Sequence, residues 1–193
     1  MIRATSVIAA LLLASACGEA EAEDEQPSDQ GAPDNFAGAG PVELLFVLND
    51  NEYVGLVIES PMANYGVSSD LELPPEQHGV PEWDDYNALR DELSRAIAPD
   101  IEGIEASVGS KFAFTSSAGC RYDEGSESIA KRDGQWMVTF DMEFICTNPA
   151  TISDVSVNLF DMRGFTKGTA KIIDGDEERS VDVDGINRIV ELR

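Results

Sequence analysis

Three cysteines and one histidine are the side chains of this protein best suited to metal or redox chemistry. Cys120 and Cys146 lie on either side of an acidic stretch and a strand-like segment. Such a pair could be a redox couple, two metal ligands or a structural disulfide. A redox couple would call for a CxxC spacing, which the chain lacks. In an oxidising compartment, two half-buried cysteines at this spacing predict a structural disulfide between Cys120 and Cys146.

The third cysteine, Cys17, follows a leader typical of exported bacterial proteins. Residues 1–16 contain one Arg, an apolar run and a small-residue end, and they are too short to span a membrane. The end, Ala14-Ser15-Ala16, fits ordinary signal peptidase and also resembles the lipobox of bacterial lipoproteins. Both interpretations place cleavage before Cys17. Because three cysteines leave one odd thiol after pairing, lipidation of Cys17, with palmitate or a similar acyl chain, is favoured.

The leader is followed by an acidic stretch without Lys or Arg, which predicts a disordered tether over residues 17–41. A folded domain is then predicted over residues 42–193. Gly18 stands directly after Cys17, and by resemblance to Gram-negative lipoproteins the absence of Asp there favours the outer membrane. We therefore predict a lipid-anchored protein of the bacterial cell envelope, at the periplasmic face of the outer membrane.

The formal net charge of −24 bounds the choice of partners. Such a field repels phosphate backbones and anionic lipid surfaces, so no nucleic-acid partner is predicted. It would attract cations or basic proteins, although solubility alone also accounts for it.

Two segments define the first half of the domain. The stretch 42–60 holds two apolar runs joined at Asn49-Asp50-Asn51, which predicts a β-hairpin. The stretch 82–98 changes to helical spacing and ends before a proline, which predicts one amphipathic helix. The residues on its apolar face are Tyr86, Leu89, Leu93 and Ile97.

Strand patterns return in the second half. Residues 135–146 alternate apolar and polar side chains, and a turn at Asp133-Gly134 joins them to the strand ESIAKRD. A further turn is predicted at Glu124-Gly125, and Gly103 and Gly109 fit a connecting loop. The shorter runs DVSVNLF, GTAKIID, RSVDV and NRIVEL predict more strands. The predicted fold class is α+β, a mostly antiparallel β-sheet with one main amphipathic helix and one disulfide.

Several motifs occur in order along residues 42–192. They are ELLFVLNDNEYVGLVIESPMANY, AGC, Phe144, Cys146, Ala150, Val157, Leu159 and Phe160. These motifs resemble the ZrgA-like proteins, a family of zinc-regulated periplasmic proteins also classed as a domain of unknown function. The resemblance implies a role in zinc binding and zinc homeostasis.

The chain departs from that family where the family carries histidines. Members typically have a His-rich loop between the two cysteine segments and often His before the first strand. Here the loop is RYDEGSESIAKRDG, and Gly38-Ala39-Gly40-Pro41 precedes the strand. The one histidine is His78, which with Glu76 could form only a weak surface site. No metal-ligand position of the family carries over, and no resident zinc is predicted.

A calcium site is the other metal hypothesis. Asp182, Asp184 and Glu191 fall at positions 3, 5 and 12 of an EF-hand loop pattern. Asn187 stands where that loop usually has an apolar residue, and no helix precedes it. Two short strands around a turn at Asp184-Gly185 are the alternative, so calcium is not predicted as a cofactor.

Catalysis has little support, because nucleophilic catalysis requires a base and His78 is the only imidazole. The leading hypothesis is a non-enzymatic envelope lipoprotein with a binding or accessory role. It would act with an unknown envelope protein partner in periplasmic metal homeostasis, without a His-rich zinc site. The alternative is a weak divalent-cation carrier that uses carboxylates and His78.

Overall fold

The structure is a computed structural model that describes residues 38–48, 53–67, 83–97 and 103–193. Within these ranges the chain forms nine β-strands and two α-helices. The helices are α1 (Trp83–Ile97) and α2 (Ile104–Gly109). The strands are β1 (Val42–Leu48), β2 (Tyr53–Pro61), β3 (Phe112–Phe114), β4 (Cys120–Arg132), β5 (Gln135–Cys146), β6 (Asp154–Val157), β7 (Lys167–Asp174), β8 (Glu177–Asp184) and β9 (Ile189–Glu191).

Six strands form the main sheet, in the order β4-β5-β2-β1-β7-β8. Neighbouring strands pair antiparallel, except that β1 and β7 run parallel. The predicted fold class is therefore confirmed, with one parallel pair that the alternation did not predict. A side chain at Gly168 would collide with the backbone of Val42, so glycine allows β7 to approach β1 closely.

Alternation gives this sheet two different faces. The core face is buried and consists of Val42, Leu44, Phe46, Leu48, Val54, Leu56, Ile58, Val138, Phe140, Met142, Phe144, Ala170 and Ile172. The opposite surface, called the outer face, is exposed or half-buried, so the described part of the chain leaves it open to solvent. On the four central strands β5, β2, β1 and β7, its residues are Glu43, Leu45, Val47, Tyr53, Gly55, Val57, Glu59, Gln135, Met137, Thr139, Asp141, Glu143, Ile145, Lys167, Thr169, Lys171 and Ile173.

A second, three-stranded sheet and the helices pack against the core face. This sheet has the order β3-β6-β9, and it was not foreseen as a separate layer. Helix α1 buries Leu89 and Leu93 completely, with Tyr86 and Ile97 at the margin of the core. The predicted apolar face of the helix is confirmed.

The short helix α2 corrects the sequence prediction of a connecting loop. Ile104 and Val108, one helical turn apart, are buried and hold the helix against the core. Gly103 precedes it with a φ of 90°, a conformation that glycine adopts without strain. The prediction failed because this segment is shorter than the window over which helical periodicity can be recognised.

Strands β4 and β5 form a long hairpin. Asp133 and Gly134 connect them with φ values of 50° and 84°, which confirms the predicted turn. The turn predicted at Glu124-Gly125 is wrong. There β4 continues, and its register with β5 shifts between Tyr122 and Glu124, which is a β-bulge.

The predicted disulfide is confirmed. Cys120 and Cys146 lie opposite each other at the open end of the β4–β5 hairpin, with their sulfur atoms 2.08 Å apart. Cys146 is buried and Cys120 is half-buried. The bridge therefore joins the two strands at the end that the turn does not close.

The start of β1 is fixed by a buried side chain from the ESPMANY motif. The Asn64 side-chain amide donates to the Gly40 carbonyl at 2.9 Å, and the Gly40 N–H donates to Asn64 Oδ1 at 2.8 Å. Asn64 is almost completely buried, so this reciprocal pair satisfies its polar atoms. The motif thus has a structural role in positioning β1.

Several predictions fall on other parts of the chain. The signal peptide over 1–16, Cys17, most of the tether over 17–41, and His78 with Glu76 lie outside the described residues. Residues 49–52, which join β1 to β2, also lie outside them. Among the described helices, none has the length and hydropathy needed to cross a membrane.

Candidate functional site

The cysteines chosen as metal or redox candidates are joined to each other. Because Cys120 and Cys146 share a disulfide, neither sulfur is a thiolate able to bind a metal ion. Across the described ranges, no three His, Cys, Asp or Glu side chains are grouped closely enough to hold one ion. The described residues therefore do not fit the zinc that the family resemblance implies.

The calcium-like residues are not brought together. Asp184 ends β8, where its Oδ1 accepts the N–H groups of Ile186 and Asn187, each at 2.7 Å. These backbone hydrogen bonds lower the pKa of the Asp184 carboxyl. Asp182 lies within β8, whereas Glu191 ends β9 in the other sheet. The Asp184 carboxylate thus closes a turn between two strands, as the alternative interpretation predicted.

Two carboxylates and one guanidinium meet where the helices contact β4. We call Tyr86, Arg90, Glu105 and Glu127 the Arg90 cluster. Arg90 Nε donates to Glu127 Oε1, and its Nη2 lies 3.8 Å from Glu105 Oε1. The Tyr86 hydroxyl is 3.2 Å from Glu127 Oε1 and 3.2 Å from the Glu127 carbonyl oxygen. The cluster therefore links α1, α2 and β4.

The pKa values of the two carboxyl groups in the Arg90 cluster are shifted in opposite directions. Their side chains are only 13% (Glu105) and 8% (Glu127) exposed. Burial and the hydrogen bond to Glu127 raise the pKa of Glu105. Burial alone would raise the pKa of Glu127, but its hydrogen bonds to Glu105 and Arg90 lower it. Of the two carboxyl groups, Glu105 therefore binds a proton more readily, and when protonated it can donate a hydrogen bond to the Glu127 carboxylate.

Tyr86 is held in its neutral form by the same neighbours. Burial, together with the negative charge of Glu127, raises the pKa of Tyr86 to about 12. The phenol is therefore a hydrogen-bond donor at neutral pH rather than a base. Each of the four side chains of the Arg90 cluster has a partner within the cluster, which suits a connection between helix and sheet.

The outer face presents a different arrangement, with apolar side chains at its centre and carboxylates around them. Leu45 of β1 lies directly opposite Val57 of β2. Beyond Val57 lies Asp141, and beyond Leu45 lies Lys171, so these four residues form one row across the sheet. In the adjacent row, Glu43 lies opposite Glu59, and in the row on the other side Val47 faces Gly55.

A shallow depression of about 400 Å³ lies over these rows. It is lined by Glu43, Leu44, Leu45, Val57, Glu59, Thr169, Lys171 and Ser180. Apolar and acidic side chains thus share one open concave surface. Such a surface suits a ligand that has both an aliphatic part and a positive charge.

Sequence reasoning missed the outer face, although β1 contains a signal for it. The run Leu44-Leu45-Phe46-Val47-Leu48 is apolar at every position, whereas a strand with one solvated face normally alternates. The half-exposed positions Leu45 and Val47 are the departures from that pattern. Only the pairing of β1 with β2 and β7 places carboxylates beside them.

Comparison with known proteins adds no relative from which residue roles could be carried over. A scan against protein-family models finds none that matches this chain, and a search of curated proteins finds no match. The roles of the outer face and the Arg90 cluster therefore follow from their own geometry and chemistry.

Proposed function

We propose that this protein is a non-enzymatic, lipid-anchored protein of the bacterial cell envelope. It resembles the ZrgA-like proteins and has a binding or accessory role in periplasmic metal homeostasis. The observation that supports the proposal concerns the bonding and position of the three cysteines. Two are joined in the Cys120–Cys146 bridge, and the third, Cys17, directly follows a segment whose sequence resembles an export leader.

The disulfide supports export. Protein disulfides form and persist in oxidising compartments such as the periplasm, and they are rare in the reducing cytosol. Cys17 cannot join this pair, because Cys120 and Cys146 are already bonded to each other. Acylation gives the remaining sulfur a defined chemical state and attaches the domain to a membrane.

The open outer face supports a binding role. Its central strands are covered on the core face and uncovered on the other, and the uncovered side carries apolar side chains between carboxylates. The carboxyl pair of the Arg90 cluster, by contrast, is engaged by Arg90 and Tyr86. We therefore assign the protein's activity to surface recognition rather than to acid–base chemistry.

The role in metal homeostasis, in this proposal, is exerted through a partner. Zinc is bound in proteins mainly by thiolate and imidazole ligands, usually three or four together. The described cysteines are oxidised, and His78 is the single imidazole of the chain. The domain accordingly assists another envelope protein instead of holding zinc tightly itself.

Mass spectrometry of the intact protein tests the anchor. We expect the N-terminal peptide to begin at Cys17 and to carry acyl mass, and the protein to fractionate with membranes. The Cys17→Ser variant is the matched control, and it should lose both the acyl mass and the membrane association. A mature chain that carries unmodified Cys17 would contradict the proposal.

Titration calorimetry of the metal-stripped protein tests the indirect metal role. We expect neither Zn²⁺ nor Ca²⁺ to bind with sub-micromolar affinity and a defined stoichiometry. Tight one-to-one binding of Zn²⁺ that is lost in a His78→Ala variant would instead favour the carrier that uses carboxylates and His78.

A further inference from the structure

The outer face combines an apolar centre with carboxylates that have no ion-pair partner among the described residues. Glu59 pairs with Arg132, and Lys171 Nζ lies 2.9 Å from Glu178 Oε1. The other charged side chains of the outer face on the four central strands are the carboxylates Glu43, Asp141 and Glu143, and Lys167 at the start of β7. None of the three carboxylates forms an ion pair with the described part of the chain.

The spacing of these groups matches a polypeptide better than a small ion. Adjacent strands lie about 4.8 Å apart, and side chains on one face of a strand repeat about every 7 Å. Glu43 and Asp141 stand on strands separated by β2 and in neighbouring rows, with Val57 and Leu45 between them. A ligand that reaches several of these carboxylates must therefore cross apolar surface between them.

The remaining segments of this chain do not have the charge to cover this face. Residues 18–37 and 68–82 contain several Asp and Glu residues and no Lys or Arg. Docking either segment would bring like charges together. A second copy is disfavoured for the same reason, because each chain carries a formal net charge of −24 and a symmetric contact would oppose identical carboxylates.

We propose that the outer face is a docking surface for a basic polypeptide segment of a partner protein. The Lys or Arg side chains of the segment lay their aliphatic stems across Leu45 and Val57 and place their charges beside Glu43, Asp141 and Glu143. Tyr53 and Val47, which are 39% and 37% exposed, extend the apolar contact along the strands. This inference deepens the proposed function and rests on it, because it states the class of partner.

Fluorescence polarisation with labelled octalysine tests the docking surface, with the full-length protein at low salt. The test variant is Glu43→Gln/Asp141→Asn/Glu143→Gln. Removing three charges that face the ligand should weaken octalysine binding by about tenfold, since each exposed pair contributes a fraction of a kcal/mol. The salt dependence of binding should also become shallower.

A charge-matched control separates a specific surface from the diffuse field of an acidic protein. The variant Asp91→Asn/Asp176→Asn/Glu191→Gln removes three exposed carboxylates outside the outer face. It should weaken octalysine binding by less than about twofold. Equal losses in the two variants would overturn the proposal, since they would mean that octalysine senses only net charge.

A charge-neutral variant tests the apolar centre. Leu45→Thr/Val57→Thr keeps strand-forming residues and changes no charge. It should weaken binding about threefold, because the lysine stems lose apolar contact. An unchanged affinity would contradict the proposed seating of the side chains. Urea denaturation of each variant identifies any variant that has lost its fold. Methyl NMR of the protein without substitutions provides an independent measurement of binding.

In that NMR experiment, octalysine should shift the methyl signals of Leu45, Val47 and Val57. The exposed Ile186 and Ile189, outside the outer face, should not move. The reverse pattern would overturn the proposal. If acylation of Cys17 is found but the binding pattern fails, the docking surface alone is wrong. If the binding pattern holds but Cys17 is unmodified, the envelope function is wrong and the surface stands.

Discussion

The two faces of the six-stranded sheet both carry carboxylates, but in different surroundings. On the core side, Glu127 is 8% exposed and is bonded to Arg90 and Tyr86. On the outer face, Glu43, Asp141 and Glu143 are exposed and have no ion pair with a described residue. A buried carboxylate must be partnered within the fold, whereas an exposed one is stabilised by water and can exchange water for a ligand. The comparison therefore separates structural carboxylates from those available for binding.

The largest expected difference between the two faces is in packing. Phe140 on the core face is completely buried, and its neighbour Asp141 is exposed on the outer face. Phe140→Ala should lower the free energy of unfolding by about 3–5 kcal/mol through lost burial and a cavity. Asp141→Ala, the matched control one residue along the strand, should change it by less than about 0.5 kcal/mol. Urea denaturation of both variants measures this, and equal effects would show that the faces are assigned incorrectly.

The next largest effect concerns the bridge at the open end of the β4–β5 hairpin. Cys120 and Cys146 are separated by 26 positions in the sequence. The Cys120→Ser/Cys146→Ser variant should lose about 3 kcal/mol of unfolding free energy, because its unfolded chain is less restricted. Reduction of the unmodified protein should shift the urea midpoint in the same direction. Octalysine affinity measured well below that midpoint should be unchanged, and a loss of affinity would show that the outer face depends on the bridge.

A pair of cation substitutions compares the faces directly. Arg90→Met leaves the carboxyl groups of Glu105 and Glu127 without their cation and should cost about 1–2 kcal/mol of unfolding free energy. This cost is smaller than for a fully buried ion pair because Arg90 is partly exposed. Lys171→Met removes an exposed ion pair with Glu178 and should cost less than about 0.5 kcal/mol. Unfolding curves for the two variants measure the contrast. A larger effect for Lys171 would refute the structural role of the Arg90 cluster.

The smallest expected effect depends on pH and sharpens the account of the Arg90 cluster. The folded-state pKa of Glu105 is raised, so the protonated Glu105 contributes to the free energy of unfolding at low pH. This contribution is lost as the pH rises through the folded-state pKa. Glu105→Gln supplies a permanently neutral donor. It should exceed the original protein in unfolding free energy by up to about 1 kcal/mol at neutral pH, and the gain should disappear in acid.

Urea unfolding from about pH 8 down to about pH 4 measures that difference. The lowered pKa of Glu127 acts in the opposite sense: its contribution is present above the unfolded-state pKa and is lost as the pH falls through the folded-state pKa. That loss occurs in both proteins and does not obscure the comparison. A gain that grows toward acid pH would mean that folding lowers the pKa of Glu105 instead of raising it. Glu43→Gln on the outer face is the control and should change the unfolding free energy by less than about 0.5 kcal/mol at neutral pH.

Much of the local structure could be predicted, because its signals lie within short windows. Alternation predicted β5 and its buried side, and helical spacing predicted α1. The dipeptide Asp133-Gly134 predicted the hairpin turn, since both positions require positive φ. The bulge near Tyr122 was mistaken for a turn because Glu124-Gly125 suits either structure and only the partner strand decides between them.

The candidate surface could not be predicted in the same way. Nothing near Leu45 in the sequence indicates that Asp141 and Lys171 will share its row, since they lie on β5 and β7. The same holds for Glu127, which meets Arg90 only because α1 packs beside β4. These groupings depend on the order of strands in the sheet.

The sequence by itself determined the main helix, most of the strands with the buried sides of β1 and β5, and the pairing of Cys120 with Cys146. Those properties follow from side-chain periodicity, turn residues and the small number of cysteines. The tertiary structure alone decided the parallel pairing of β1 with β7, and with it the row of apolar and charged side chains across the outer face. The physical reason is that such pairing joins residues far apart in the chain, so its stability comes from burial of the whole core and not from any local segment.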